Sequence, residues 1–213
     1  MKKPRYSALI RSKPFWFIVL FWMIAAVVAL TFYKRGSAIS YELWSGPVTE
    51  CFNDAEDKDF TNCGQVDEKG VFHINKALLP KLATIHDGLA CFHLGNTLKV
   101  FYVNKETGRT LESYGIDMGC DYFSEGLARS PSPQGTRFFD RSLNVIISTP
   151  YHYAFPFEKG YAIVCNDLRV FYPFYDEDNY GEYVGGYCGY INKQGTLAVP
   201  LDYSYSEVGL HAP

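Results

Sequence analysis

The residues beyond position 40 predict an all-β repeat ectodomain, either a β-hairpin solenoid or an open propeller-like sheet stack, preceded by one N-terminal transmembrane helix. Three observations carry that expectation: an uninterrupted apolar stretch near the N-terminus, two short motifs recurring in alternation, and an aromatic content of 17% that suits strands. After residue 40 no window shows sustained helical periodicity, and Ile74–Ile85 admits a short turn of helix at most. With 47% hydrophobic and 20% charged residues in 213, the chain has the apolar content for a packed core.

The first element is a basic tail, residues 1–13. Residues 1–35 hold Lys2, Lys3, Arg5, Arg11, Lys13, Lys34 and Arg35 and no acid, which leaves 13 basic against 23 acidic groups in the remainder. A nucleic-acid binder concentrates positive charge on its folded part, so this distribution argues against nucleic acid. Residues 14–33 carry no charge (PFWFIVLFWMIAAVVALTFY), and twenty helical residues span about 30 Å, the thickness of a bilayer's hydrocarbon core. Phe15, Trp16, Phe17, Phe32 and Tyr33 suit the two interfaces, and the flanking basic residues favour a cytoplasmic N-terminus. Small residues at Val27-Val28-Ala29 and Gly36-Ser37-Ala38 leave cleavage open. The apolar run exceeds the usual ~7–15 residues of a signal peptide, which favours an uncleaved signal-anchor in an inner membrane with residues 36–213 periplasmic or otherwise extracytoplasmic.

Next comes 34–69, an acidic stalk or N-terminal cap. The six cysteines, Cys51, Cys63, Cys91, Cys120, Cys165 and Cys188, all follow the apolar stretch, as disulfides in an oxidising compartment require. Proximity suggests the pairs 51–63, 91–120 and 165–188 among 15 connectivities. Cys91-Phe92-His93 is the only close Cys/His pair, too little for a zinc site.

Residues 70–213 hold the repeats. One motif is acidic or polar, Gly, apolar, Ala: Asp87-Gly88-Leu89-Ala90, Ser124-Glu125-Gly126-Leu127-Ala128 and Glu158-Lys159-Gly160-Tyr161-Ala162, with a frayed copy at Glu207-Val208-Gly209-Leu210. Its recurring acids, read as Asp87, Glu125 and Glu158, point to turns rather than to paired catalytic carboxylates. The other is aromatic, apolar, Asn/Asp, basic: His73-Ile74-Asn75-Lys76, Tyr102-Val103-Asn104-Lys105, Phe138-Phe139-Asp140-Arg141 and Tyr190-Ile191-Asn192-Lys193. Each unit reads as strand, turn, strand, with Asn or Asp and a following Gly supplying the hairpin turn.

These residues resemble the WG-containing repeat family of bacterial proteins. Phe123-Ser124-Glu125-Gly126-Leu127-Ala128 and Gly189-Tyr190-Ile191-Asn192-Lys193-Gln194-Gly195-Thr196-Leu197-Ala198-Val199-Pro200 carry the likeness best. No repeat contains the naming Trp, and Cys188 stands in its place in the last copy. The resemblance implies a β-rich repeat module and no reaction.

Scattered His73, His86, His93, His152 and His211, the absence of a Gly-x-Ser-x-Gly elbow and the lack of a P-loop lysine leave no nucleophile–base pair, cofactor or metal site to name. The run Asp176-Glu177-Asp178-Asn179-Tyr180-Gly181 opens like a calcium loop, but its twelfth position is Tyr187 rather than Glu. An insertion near 169–186 lengthens the last repeat and is rich in tyrosine. Tyr172, Tyr175, Tyr180, Tyr183 and Tyr187 are its candidate binding residues, because period-breaking insertions gather on one face and tyrosine combines area with a hydroxyl. The expectation is a non-enzymatic, membrane-anchored scaffold that binds a protein partner in the envelope, or alternatively an envelope glycan through the same tyrosines.

Overall fold

The computed structural model of the chain describes residues 17–24, 37–38, 41–56, 58–85, 87–95, 97, 99–116, 119–171 and 181–213. Two compact units emerge, residues 1–37 with 169–183, and residues 38–168 with 184–213. In the first, residues 17–24 form helix α1, whose Phe17, Phe21 and Trp22 are exposed. Among the described residues no helix is long and apolar enough to cross a membrane. The remainder of the apolar stretch 14–33 lies outside them.

The described residues form sixteen strands, most of them in the second unit; after β1 (Ser37–Ala38), twelve of them make four three-stranded antiparallel meanders. Repeat 1 is β2 (Gly46–Asn53), β3 (Lys58–Val66) and β4 (Phe72–Ile74). Repeat 2 is β5 (Leu89–Leu94), β6 (Val100–Asn104) and β7 (Thr110–Ser113), followed by the small hairpin β8 (Gly115–Ile116) and β9 (Gly119–Cys120). Repeat 3 is β10 (Ala128–Ser132), β11 (Gly135–Phe139) and β12 (Val145–Ser148). After β13 (Tyr153–Ala154), repeat 4 is β14 (Tyr161–Phe171), β15 (Glu182–Asn192) and β16 (Leu197–Tyr203). The chain is therefore all-β, with repeats, as its sequence predicts.

The repeats join in a way that neither a hairpin solenoid nor a propeller-like stack describes. Repeats 1 and 2 pair first strand to first strand, giving one six-stranded sheet in the order β4-β3-β2-β5-β6-β7. The sheet curls until its edges meet, where the Thr110 hydroxyl donates to the Phe72 carbonyl. Its inner face buries Val48, Phe60, Val66, Phe72, Phe92 and Phe101. The outer face of β5 and β6 is buried too, since Leu89, Val100 and Tyr102 pack with Ala128 and Phe139 of repeat 3. Burial on both faces explains why Leu89–Leu94 and Val100–Asn104 read as nearly continuous apolar runs rather than alternating ones.

Two turn types recur, the first in repeats 2, 3 and 4 and the second in all four. Before the first strand, Asp87-Gly88, Glu125-Gly126 and Lys159-Gly160 all have positive φ, the backbone of a type I′ turn. Ser124 and Leu127 exchange both backbone hydrogen bonds around one such turn (2.9 and 3.0 Å), as do Glu158 and Tyr161 around another (2.8 and 3.1 Å). The position before Gly is therefore Asp87, Glu125 and Lys159. Glu158 sits one place earlier, equivalent to Ser124, and is not a member of the acidic series.

Between second and third strands an Asn or Asp side chain closes the turn. Asn192 Oδ1 accepts from the backbone N–H groups of Gln194 and Thr196, both at 3.0 Å, and Asp140 Oδ1 does the same for Ser142 and Asn144, both at 2.9 Å. The first such turn belongs to Asp67, whose Oδ1 accepts from Lys69 (2.9 Å) and Val71 (3.0 Å). Asn75 instead N-caps a 3₁₀ helix, Lys76–Lys81. The repeat frame therefore starts within the segment expected to be a stalk or cap, where β2 and β3 form a hairpin with a buried inner face.

At the other end, Glu207-Val208-Gly209-Leu210 is helical rather than a frayed turn. Tyr205–Val208 forms α2, capped by the Ser204/Glu207 box, and Gly209 has φ −61°. Of the insertion at 169–186, residues 169–171 end β14 and 182–186 begin β15, and residues 172–180 lie outside the described ones.

Candidate functional site

The repeats are fastened to one another by the charges of their motifs. Arg141, which follows the Asp of repeat 3, donates to Asp87 of the first-strand turn of repeat 2 at 2.7 Å. Lys193, which follows the Asn of repeat 4, reaches Glu125 of repeat 3 at 3.0 Å and its backbone carbonyl at 3.2 Å. Glu125 also accepts from the Gly160 N–H (3.2 and 3.1 Å), and the Lys193 hydrogen bond above all holds its carboxyl below the usual range. The recurring acids thus meet the recurring bases of the following repeat. These pairs are partly exposed and set register more than stability.

A buried ion pair lies where repeats 2 and 3 meet. Arg129 donates to Asp121 through Nε at 2.9 Å and Nη2 at 2.7 Å, and its Nη1 donates to the Ala154 carbonyl at 2.9 Å. Burial opposes the guanidinium charge, but the hydrogen bonds and charge of Asp121 override it and raise the pKa. With the Tyr102 hydroxyl donating to the Asp121 carbonyl at 2.6 Å, every group here has a structural partner.

Two features present chemistry outward. The first is an edge: β12 lies at the margin of its sheet, pairing only with β11 among the described strands, and exposes Val145 (39%) and Ile146 (53%). Of the sequence-predicted tyrosines, Tyr172, Tyr175 and Tyr180 lie outside the described residues. Tyr183 and Tyr187 stand on β15, and Tyr187 is 62% exposed directly beside the buried half-cystine Cys188. The calcium-like run 176–181 falls almost entirely outside the described residues.

The second is a cleft of about 580 Å³, bounded by residues 41–44 ahead of β2, Thr97 and Lys99 ahead of β6, the end of β7 and the end of β10. At its base the Glu112 side chain, 7% exposed, accepts from Lys99 Nζ at 2.6 Å and from the Tyr41 hydroxyl at 2.9 Å. Lys99 Nζ also lies 4.4 Å from the centre of the Tyr41 ring. Burial pushes the Glu112 carboxyl above its usual range, with Lys99 and Tyr41 pulling the other way. Burial, and then the Glu112 charge, raises the Tyr41 hydroxyl as well. Trp44, Tyr114 and His152 complete the wall. The sequence reading missed this site. Its residues are spread from 41 to 152, and only the junction of repeats assembles them.

All six cysteines are bonded, as Cys51–Cys63, Cys91–Cys120 and Cys165–Cys188, the pairs that proximity suggests. Cys91 is therefore withdrawn from any metal-binding role with His93.

Residues 137–167 match the WG containing repeat. No curated protein and no solved structure matches the chain. The matched segment runs from β11 through β12 and β13 into β14, joining one Asp turn to the next Gly turn, and lies between residues 123–128 and 189–200. Outside the matched residues, Cys63-Gly64-Gln65-Val66-Asp67 of repeat 1 and Cys188-Gly189-Tyr190-Ile191-Asn192 of repeat 4 hold the same place in their meanders. Where the family name places Trp, both put a cysteine bonded to the neighbouring first strand.

Proposed function

We propose that the chain is a membrane-anchored, envelope-facing, non-enzymatic interaction module whose repeat domain contacts another protein. One observation carries this: the margin of repeat 3 leaves β12 open, with Val145 and Ile146 in solvent. Natural sheets protect such edges with Lys, Pro or bulges. β12 is short and its pairing with β11 shifts register at Phe138/Phe139, but the strand itself carries no Lys or Pro, and its apolar Val145-Ile146 pair suits strand addition by a partner. Tyr187, an exposed ring on a disulfide-held strand, supplies a second rigid contact at little entropic cost.

The anchor and the compartment are part of the same proposal. The uncharged stretch 14–33 has the length for a signal-anchor, the basic tail favours a cytoplasmic N-terminus, and three disulfides fit an oxidising compartment.

In-cell crosslinking of the full-length chain tests the contact. A discrete protein adduct is expected, and Ile146→Lys should abolish it while changing stability by no more than about 0.5 kcal/mol, as an exposed position allows. An adduct that survives both Ile146→Lys and Tyr187→Ala would defeat the reading.

A further inference from the structure

We infer that the cleft over Glu112 is a binding site for a short neutral saccharide, one or two sugar rings long. The inference does not depend on the protein-contact reading, which uses β12 and Tyr187. It also differs from a glycan role for the tyrosine insertion, since neither Tyr183 nor Tyr187, the two of those tyrosines among the described residues, lines the cleft.

Size comes first. About 580 Å³ lies within the range of roughly 300–1,000 Å³ typical of small-ligand sites and admits a disaccharide in an open cleft. Charge then selects the class. Lys99 is the sole Lys or Arg on the wall among the described residues, and it is spent on Glu112 at 2.6 Å. Arg137, close enough to act on both Glu112 and Tyr41, is outside the lining and donates to Ser130 and the Pro131 carbonyl, so an anionic ligand would meet no free cation on the wall itself and would face Glu42 at the rim. A cationic ligand would seek the position between the Tyr41 ring and the Glu112 carboxylate, and Lys99 already fills it at 4.4 Å from the ring centre. The ligand is neutral.

The donors and acceptors left over suit hydroxyl groups. Each Glu112 oxygen accepts one hydrogen bond, from Lys99 and from Tyr41, and a carboxylate oxygen can take a second. The Lys99 ammonium has three donors and uses one on Glu112. A vicinal diol can therefore give a hydrogen to the carboxylate and take one from the ammonium, the paired polar contact that a sugar offers and a hydrocarbon does not. Trp44 and Tyr114 supply aromatic surface for the C–H face of a sugar ring. The base is held before any ligand arrives. Glu112 lies cross-strand from Phe101, whose ring packs against Phe72 at 5.4 Å between centroids, and the Tyr114 hydroxyl shares a 3.0 Å hydrogen bond with Thr136.

The test uses the full-length chain in detergent with Trp16→Phe and Trp22→Phe, which leaves Trp44 as the sole tryptophan. The probes are cellobiose and N,N′-diacetylchitobiose, both neutral, and a glucuronate-containing disaccharide. A saturable change in Trp44 emission is expected with at least one neutral probe, and saturation-transfer NMR should place that sugar's ring protons against the protein. The acidic probe should bind about tenfold more weakly or not at all. Glu112→Gln, which keeps the shape and removes the charge, should weaken the neutral probe by about tenfold, the scale of one charge-assisted hydrogen bond. Should that variant fail to fold, Trp44→Ala read by NMR alone is expected to abolish the saturation transfer. No saturable response to either neutral sugar, an acidic probe that binds as tightly as the neutral ones, or binding unchanged by the substitution would each overturn the assignment.

Discussion

Glu112 is the residue whose protonation should be visible in the stability of the whole domain. Its pKa in the folded chain stands above the ordinary Glu value of 4.5, because burial disfavours the charge more than Lys99 and Tyr41 restore it. The folded chain then binds the proton more tightly than the unfolded one, so this contribution is fully present below about pH 4.5 and is lost as pH rises through the raised pKa. Asp67, Glu125 and Glu207 have the opposite sign. Hydrogen bonds from His73, Lys193 and Ser204 respectively lead in lowering their pKa values, so what they contribute is present above the ordinary values and lost in acid. Glu112→Gln should flatten the stability curve above about pH 4.5 and leave the acid limb in place. Denaturant titrations at successive pH values check this, and parallel wild-type and variant curves above pH 4.5 would contradict it. Leu143 shows a different residue-level compromise. It occupies the turn position that Gly70 and Gly195 fill elsewhere, at φ 61°, a conformation costing an L-residue about 1–2 kcal/mol. Its side chain is 1% exposed among Leu89, Tyr102 and Phe139, and burial of that order returns about 1.5–3 kcal/mol.

At the scale of the element, two glycines serve the repeat for different reasons. Gly126 has φ 87° and open space where a Cβ would lie, so Gly126→Ala should cost only the left-handed backbone, about 1–2 kcal/mol. Gly189 lies in extended β15, and a Cβ there would fall 2.3 Å from the Val199 carbonyl oxygen and 2.6 Å from that of Pro200. Gly189→Ala must push β16 away and should cost about 3 kcal/mol, the upper part of the range for overpacking. Urea unfolding of the two variants ranks them, and an equal or reversed order would refute the close-approach account. A Cβ at Gly64, its equivalent in repeat 1, would fall 2.1 Å from the His73 carbonyl oxygen. This explains what was legible beforehand. Turns are written locally, so Asp87-Gly88, Glu125-Gly126, Asp140 and Asn192 could be placed from sequence. The first repeat is hidden because His73-Ile74-Asn75-Lys76 mimics the motif at the wrong place, while CGQVDEKGVF, which aligns with CGYINKQGTL, has Gln65 where the latter has the aromatic Tyr190 ahead of its Asn. The cleft was illegible for another reason. Tyr41, Lys99 and Glu112 belong to no motif, and their proximity follows from the six-stranded sheet's pairing of β2 with β5 and of β6 with β7.

For the whole molecule, the disulfides mark where folding is sustainable. The six-stranded sheet, repeat 3 and repeat 4 divide their apolar side chains among several clusters rather than one large core, so each region draws on fewer buried contacts. The cross-links compensate at intervals. Cys51–Cys63 ties the first two strands of repeat 1, Cys165–Cys188 those of repeat 4, and Cys91–Cys120 fastens β5 to the β8–β9 hairpin. With sequence separations of 12, 29 and 23, each closes a loop worth about 3–4 kcal/mol in the chain-entropy account. Three such terms rival the entire ~5–15 kcal/mol by which domains are ordinarily stable, so the reduced chain should be largely unfolded at physiological temperature. Replacing one pair by serine, Cys165→Ser with Cys188→Ser, should lower the Tm of the full-length oxidised chain by about 6–12 °C, at the 2–4 °C per kcal/mol typical of domains this size. Excess reductant should abolish the cooperative transition altogether. Calorimetry with and without reductant decides it. If the reduced chain melts cooperatively at the oxidised Tm, the disulfides are not what holds the repeats together, and the case for an oxidising compartment loses its structural support.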